Sequence, residues 1–330
     1  MSSHGTLIAP VKDEDGYVSF KCDPDPGRIT LDFLNTASPL RQFFMPPGET
    51  LFSFSGDQKG FTVQQEKPEK PMMIFGARLC DAAGLLALDS AFGGEYKDPS
   101  YMERRKNSLI AAVFCNEPHP TCFCECVQGL LSKPRGIDLL VYPLKEGFLI
   151  EDFTDKAADL LKKCEALLKE PSASQVREKE EILKASVDAQ ACELDFSALA
   201  SKLSASQEAR EFWDEASEGC LSCGVCSFVC PACQCFSVQD VAEGKEGKRV
   251  RCWATCQDCG FARMAGGIDP RPAKGERTWH RFEHKFAAAP SRNNMIFCTG
   301  CGRCIRFCPS HHDIIETMTD FLRGRDEVKA

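Results

Sequence analysis

The sequence predicts an α+β protein in two parts. An N-terminal α/β domain is expected over residues 1–151, a smaller cysteine-bearing domain over 216–330, and a helical connector over 152–215. Three observations predict this. Short β-rich runs punctuated by Pro and Gly fill the first half, charged helix-periodic stretches follow, and thirteen of the 21 cysteines fall after residue 216. A chain of 330 residues, 43% hydrophobic, can build a core in each part without covalent help. A net charge of −8 argues against a nucleic-acid-binding surface. The odd cysteine count excludes a fully paired disulfide framework.

In the first part, strands are expected at Tyr17–Phe20, Ile29–Phe33, Leu51–Phe54, Met72–Phe75, Leu109–Phe114 and Leu139–Tyr142. The Met72 run leads into Asp81–Asp89, a helical pattern with an acidic start. Leu109–Phe114 is apolar throughout, as a strand covered on both faces would be. The connector carries an amphipathic helix over Asp155–Lys169, a break at Pro171-Ser-Ala-Ser174 and a second charged helix over Arg177–Lys184. Met1–Pro10 has no basic and apolar leader pattern, and no apolar run is long enough to span a bilayer, so the expectation is a soluble, cytoplasmic protein without membrane insertion. Thiols in that compartment stay reduced, and dense cysteines there point to metal.

One motif occurs twice. Cys220-Leu-Ser-Cys223-Gly-Val-Cys226-Ser-Phe-Val-Cys230-Pro231 and Cys298-Thr-Gly-Cys301-Gly-Arg-Cys304-Ile-Arg-Phe-Cys308-Pro309 are both C-x2-C-x2-C-x3-C-P. This is the run that holds bacterial-type [4Fe–4S] clusters. Three thiolates two residues apart wrap one loop around three iron corners, and the fourth sits just past the loop. In two-cluster ferredoxins that fourth Cys crosses to the other cluster. Cluster I is therefore expected on Cys220, Cys223, Cys226 and Cys308, and cluster II on Cys298, Cys301, Cys304 and Cys230, in a ferredoxin-like domain with a long insert (232–297). Zinc usually takes separated C-x2-C knuckles, which this pattern is not. The insert ends in a basic stretch, Arg277–Lys285, read either as charge offsetting an anionic cluster or as a solvated or partner-docking face.

The motifs resemble a family. Cys230-Pro-Ala-Cys-Gln-Cys-Phe-Ser-Val-Gln-Asp240, Trp253-Ala-Thr-Cys256, Ala265-Gly-Gly267 and the second run look like the 4Fe-4S dicluster electron-transfer subunits of cytosolic sulfhydrogenases (beta) and of anaerobic sulfite reductase. Related subunits serve flavin oxidoreductases linked to heterodisulfide reductase. Phe75-Gly-Ala-Arg-Leu-Cys-Asp81, Tyr101-Met-Glu-Arg-Arg105, Cys115 and Cys122-Phe-Cys124 carry the likeness into the first half, and it is weakest over 155–215. Cys252 and Cys259 depart from the family's pattern. The resemblance implies single-electron transfer between a flavoprotein, NAD(P)H-linked, and a catalytic partner of hydrogenase, sulfite reductase or heterodisulfide reductase type.

Other thiols can be read from position. If the Met72 and Leu109 strands are parallel neighbours, Cys80 and Cys115 share the carboxyl edge where α/β sheets build sites. With Cys122 and Cys124 they give the ligand count of a third cluster, against the alternative of small buried hydrophobes. The same two readings apply to Cys233, Cys235, Cys256 and Cys259 in the insert, as a further site or as packing. Cys22, Cys164 and Cys192 stand alone and read as buried thiols. No G-x-G-x-x-G or P-loop occurs, so no flavin or nucleotide of the chain's own is expected. His280 and His284 read as structural, and His311-His312 as surface or cluster neighbours. No catalytic residue stands out. A second hypothesis is a reductase whose N-terminal thiol site itself acts on substrate.

Overall fold

The computed structural model describes residues 5–57, 60–65, 70–190, 193–205 and 209–324. Cys192 lies outside the described residues. The architecture is α+β, with two sheets. The first sheet has six strands in the order β2-β1-β5-β6-β7-β8. These are β1 (Thr6–Lys12), β2 (Val18–Cys22), β5 (Met72–Ala77), β6 (Ser108–Val113), β7 (Leu139–Pro143) and β8 (Phe148–Asp152). Pairing is parallel from β1 through β5 and β6 to β7, and antiparallel at both edges. β6 is buried nearly throughout, as its apolar run implies.

Helices cover both faces. On one face, α1 (Leu79–Phe92) and α2 (Pro99–Lys106) build the main core with Ile8, Ile74, Leu85, Leu88, Tyr101 and Phe114. A short helix, α3 (Cys124–Gln128), comes in the loop after β6. On the other face, α4 (Asp155–Lys163) sets Ala157 against Ala111 and Leu139. Helix α5 (Ala173–Asp188), opened by a Ser172–Gln175 capping box, packs Ile182, Leu183 and Val187 on the main core.

The run Ile29–Phe33, expected as a strand, is irregular, with one bridge from Ile29 to Val11. The cause is the buried Arg78 guanidinium, which takes the carbonyls of Leu31, Phe33 and Leu34. Those oxygens are then unavailable to a ladder. Cys22, expected to be buried, is exposed at the end of β2, and Cys164 is half-buried.

The second sheet is antiparallel, in the order β4-β3-β10-β9. It joins β3 (Gly48–Asp57) and β4 (Gly60–Gln65) to a hairpin of the insert, β9 (Phe236–Glu243) and β10 (Glu246–Trp253). Arg251 of β10 is 3% exposed and pairs with Glu49 and Asp98, while Arg104 reaches Glu49 at 2.7 Å. The first half and the insert thus share a sheet and a buried ion network.

The rest of the chain is helical: α6 (Phe196–Ala205), α7 (Arg210–Ala216), α8 (Val225–Phe228), α9 (Lys274–Glu283), α10 (Ala289–Asn293), α11 (Arg303–Arg306) and α12 (Ile314–Arg323). A π-helical turn, His284–Ala288, joins α9 to α10. Trp213, Phe282, Phe286, Met318 and Phe321 fill the core among them. Helix α1 is wedged between the parts. A Cβ on its Gly84 would stand 2.6 Å from Pro231, so only glycine lets the helix lie this close.

Candidate metal centres

The two cysteine runs fold alike. Each enters through a loop, passes a left-handed glycine, makes one helical turn and ends in Cys-Pro. The glycines are Gly224 (φ +74°) before α8 and Gly302 (φ +69°) before α11. An L side chain is strained at such φ, and the turn brings backbone N–H groups round toward the sulfurs. Ser222 N donates to Cys220 Sγ at 3.4 Å, and His312 N donates to Cys308 Sγ at 3.3 Å.

Cys220, Cys223, Cys226 and Cys308 line one cavity of ≈ 80 Å³, and Cys304 also reaches its wall. One buried water needs about 10–15 Å³ on that measure, so the space suits something larger. Arg281 and His312 also line it. Arg281 Nη1 and His312 Nε2 are buried with no hydrogen-bond partner among the described residues. Four thiols facing orphaned donors fit an anionic group whose sulfides accept hydrogen bonds. Cys230 lies within electrostatic reach of Cys298 and Cys304, and those two of Cys301. The structure thus brings the fourth cysteine of each run to the other run's three thiols. Among the described residues no three His, Cys, Asp or Glu side chains converge as ligands of one ion. A cube takes one thiolate at each iron corner and needs them set apart.

Cations surround the thiols. Lys285 is 4% exposed, and its Nζ donates to Cys230 Sγ at 3.4 Å and to the Phe297 carbonyl at 2.8 Å. Arg281, 7% exposed, donates to the Cys226 carbonyl at 3.2 Å. Neither has a carboxylate partner among the described residues. Burial disfavours both charges, yet the thiolates outweigh it and raise both pKa values: Cys230 and Cys233 at Lys285, Cys226 and Cys233 at Arg281. Arg41 is also buried, bonded to the carbonyls of Cys230 and Ser227 and stacked 3.4 Å over Trp253. A buried unpaired cation costs several kcal/mol, so this set calls for negative charge among the thiols. Burial, opposed by Lys285, pushes the Cys298 thiol up to about 11.

The sequence offered two readings of Arg277–Lys285, and the structure turns its basic side chains inward. Arg277, Arg281 and Lys285 are all buried. Their i, i+4, i+8 spacing puts them on one face, a signal that could have been read directly.

In the insert, Cys235 ends against the base of the β9–β10 hairpin, where Ala254 N donates to its carbonyl at 3.0 Å. The Cys235 thiol lies beside that of Cys256, and the Cys230 thiol beside that of Cys233. Cys259 is exposed, and Cys252 lies in β10 opposite Ser237. Donation from Cys235 pulls Cys256 down to about 5. His280 and His284 stack on each other at 5.9 Å.

In the first half, β5 and β6 are parallel and Cys80 and Cys115 come just after their carboxyl ends. Cys122 and Cys124 sit in the next loop. Burial pushes the Cys122 thiol up to about 11, with Cys115 adding to the shift. Asp81, in the first turn of α1 as the acidic start implied, accepts from Arg303 of the second run at 3.0 and 2.7 Å, both residues fully buried.

Residues 219–312 match the 4Fe-4S dicluster domain family. Over 321 residues the chain is 27% identical to sulfhydrogenase 2 subunit beta of Pyrococcus furiosus, covering 97% of this chain and 93% of that protein. No solved structure matches the chain. No helix among the described residues is long and apolar enough to cross a membrane.

Proposed function

For an iron–sulfur electron-transfer protein that carries a 4Fe-4S dicluster domain and resembles a sulfhydrogenase beta subunit over nearly its whole length, we propose two [4Fe–4S] clusters on crossed ligands. One sits on Cys220, Cys223, Cys226 and Cys308, the other on Cys298, Cys301, Cys304 and Cys230. The chain passes single electrons between a flavoprotein that handles NAD(P)H and a catalytic redox subunit. The relative's name favours a hydrogenase in that role, over a sulfite or heterodisulfide reductase. The observation that carries the reading is a cavity where the last thiol of the second run, Cys308, meets three thiols of the first, with Cys304 of the second run also on its wall.

Each bound cluster supplies a site that takes up and releases one electron. The chain's own residues supply the surroundings. Lys285 and Arg281 offset thiolate charge, which favours the reduced state. Gly224 and Gly302 let backbone amides approach. Phe282 and Ile314 line the first cavity with apolar surface, which limits water there. Cys223 is exposed while Cys298 and Cys301 are buried, so the first run faces a partner and the second lies inside. Cys233, Cys235 and Cys256 give three clustered thiols, and with Cys259 outside we assign them to packing beneath the dicluster domain.

Two measurements test this. Anaerobic purification of the native protein should bring a flavoprotein and a second redox subunit with it. EPR of reduced Cys308→Ala should lack the signal that Cys223→Ala also lacks. Loss of the signal removed by Cys301→Ala instead would refute the crossed ligation.

A further inference from the structure

We propose that Cys80, Cys115, Cys122 and Cys124 hold a third [4Fe–4S] cluster, placed in series with the cluster of the second run. The inference rests on the iron–sulfur reading above but uses residues outside the matched dicluster domain.

Topology brings the four thiols together. β5 and β6 run parallel in register, Ala77 opposite Ala112, so Cys80 and Cys115 emerge from the same edge. The chain then turns back through Cys122, whose N–H bonds the His119 carbonyl at 2.8 Å, and delivers Cys124 to the start of α3. Cys115, Cys122 and Cys124 all lie within electrostatic reach of one another, and Cys80 of Cys124. Among the described residues none of the four hydrogen-bonds another thiol. Thiols near but apart are what the corners of a cube require.

The charge around them is the second, independent observation. Arg303 is fully buried and reaches Cys80 Sγ at 3.9 Å. Arg306 lies near Cys122 and Cys80. Arg78, 5% exposed, bonds the Phe114 carbonyl beside Cys115 at 3.1 Å. Asp81 pairs with Arg303 alone, while Arg78 bonds backbone carbonyls and Arg306 bonds Asn35. Four thiolates on a cube would complete the balance.

Contact with the second run is direct. Phe123 N donates to the Gly300 carbonyl at 2.8 Å, and Cys122 Sγ lies 3.7 Å from the Cys301 carbonyl. A Cβ on Gly302 would stand 2.5 Å from the Thr121 carbonyl oxygen. The loop that wraps the second run's cluster is therefore the wall of this site. Cys115 and Cys122 are half-exposed, which gives the series a second outlet, distant in sequence from Cys223.

The test is iron and acid-labile sulfide on the anaerobically purified full chain, with zinc alongside. About twelve of each are expected, at four per cube, falling to about eight in Cys115→Ser with both dicluster EPR signals kept. A second measurement needs no variant. Alkylation of the native protein should leave Cys115 and Cys122 unlabelled while the exposed Cys259 reacts. About eight irons with Cys115 and Cys122 labelled overturns the third cluster and leaves the two-cluster reading standing. Twelve irons that survive Cys115→Ser but fall in Cys235→Ser overturns it in favour of the insert. Zinc with little iron overturns both readings.

Discussion

Lys285 places a full positive charge and an N–H donor on the sulfur of Cys230. Lys285→Met keeps the stem and removes both. The midpoint potential of the second run's cluster should then fall, by on the order of tenfold in its reduction equilibrium, ~59 mV for one electron. The first run's cluster should move less. EPR-monitored redox titration reads this, and equal shifts in both clusters would count against a local effect. Asp81 and Arg303 make a different residue-scale case, because here the charges are paired and buried. Asp81→Asn leaves a lone guanidinium and should cost about 3–5 kcal/mol in denaturant unfolding. Adding Arg303→Met should recover part of that loss, the signature of a coupled pair. The duplicated cysteine runs were legible in the sequence because their spacing is local. The Asp81–Arg303 pair was not, because its partners are 222 residues apart.

Among elements, the π-turn between α9 and α10 has the clearest consequence. One extra residue in a turn rotates the chain beyond it, and π-turns recur at functional positions. Here the segment contains Lys285 and the neighbouring His284. Burial, with Lys285, His280 and Arg292 adding, lowers His284 to about 4, so folding keeps it neutral. A histidine depressed in the folded state is protonated first in the unfolded chain. Stability should therefore fall as pH drops from about 6.5 toward 4, by roughly 2 kcal/mol after solvent screening. In His284→Gln that slope should flatten, measured by thermal unfolding of both proteins across the range. Some elements were readable and some were not. β6 announced itself by an unbroken apolar run. β1 contains Pro10, which cannot donate, and its parallel pairing with β5 stops at Ile8. β9 is exposed along most of its length and β10 is mostly half-buried, so neither buries one face cleanly enough to show the alternation that marks a strand.

At the scale of the molecule, the linear division into two domains and a connector meets a more woven arrangement. Helices α4 and α5 lie on the first sheet, while α6 and α7 join the C-terminal core. The second sheet draws two strands from each half, and Gly84 sits against Pro231. The two halves should unfold together, in one calorimetric transition, and residues 1–215 expressed alone should lack protected amides in β3. Two separated transitions would show that the shared sheet contributes little.

The shared sheet also sets a clock. β3 ends at Asp57, and its partner β10 begins only at Glu246. At roughly 5–20 residues per second, a ribosome takes on the order of 10–40 s to cover that gap. Throughout that interval the β3–β4 hairpin waits with one edge open, and Glu49 waits without Arg251. The nascent chain must be shielded for that long, and iron delivered before the second run emerges would find three of the four ligands proposed for one cluster and a single ligand, Cys230, of the other.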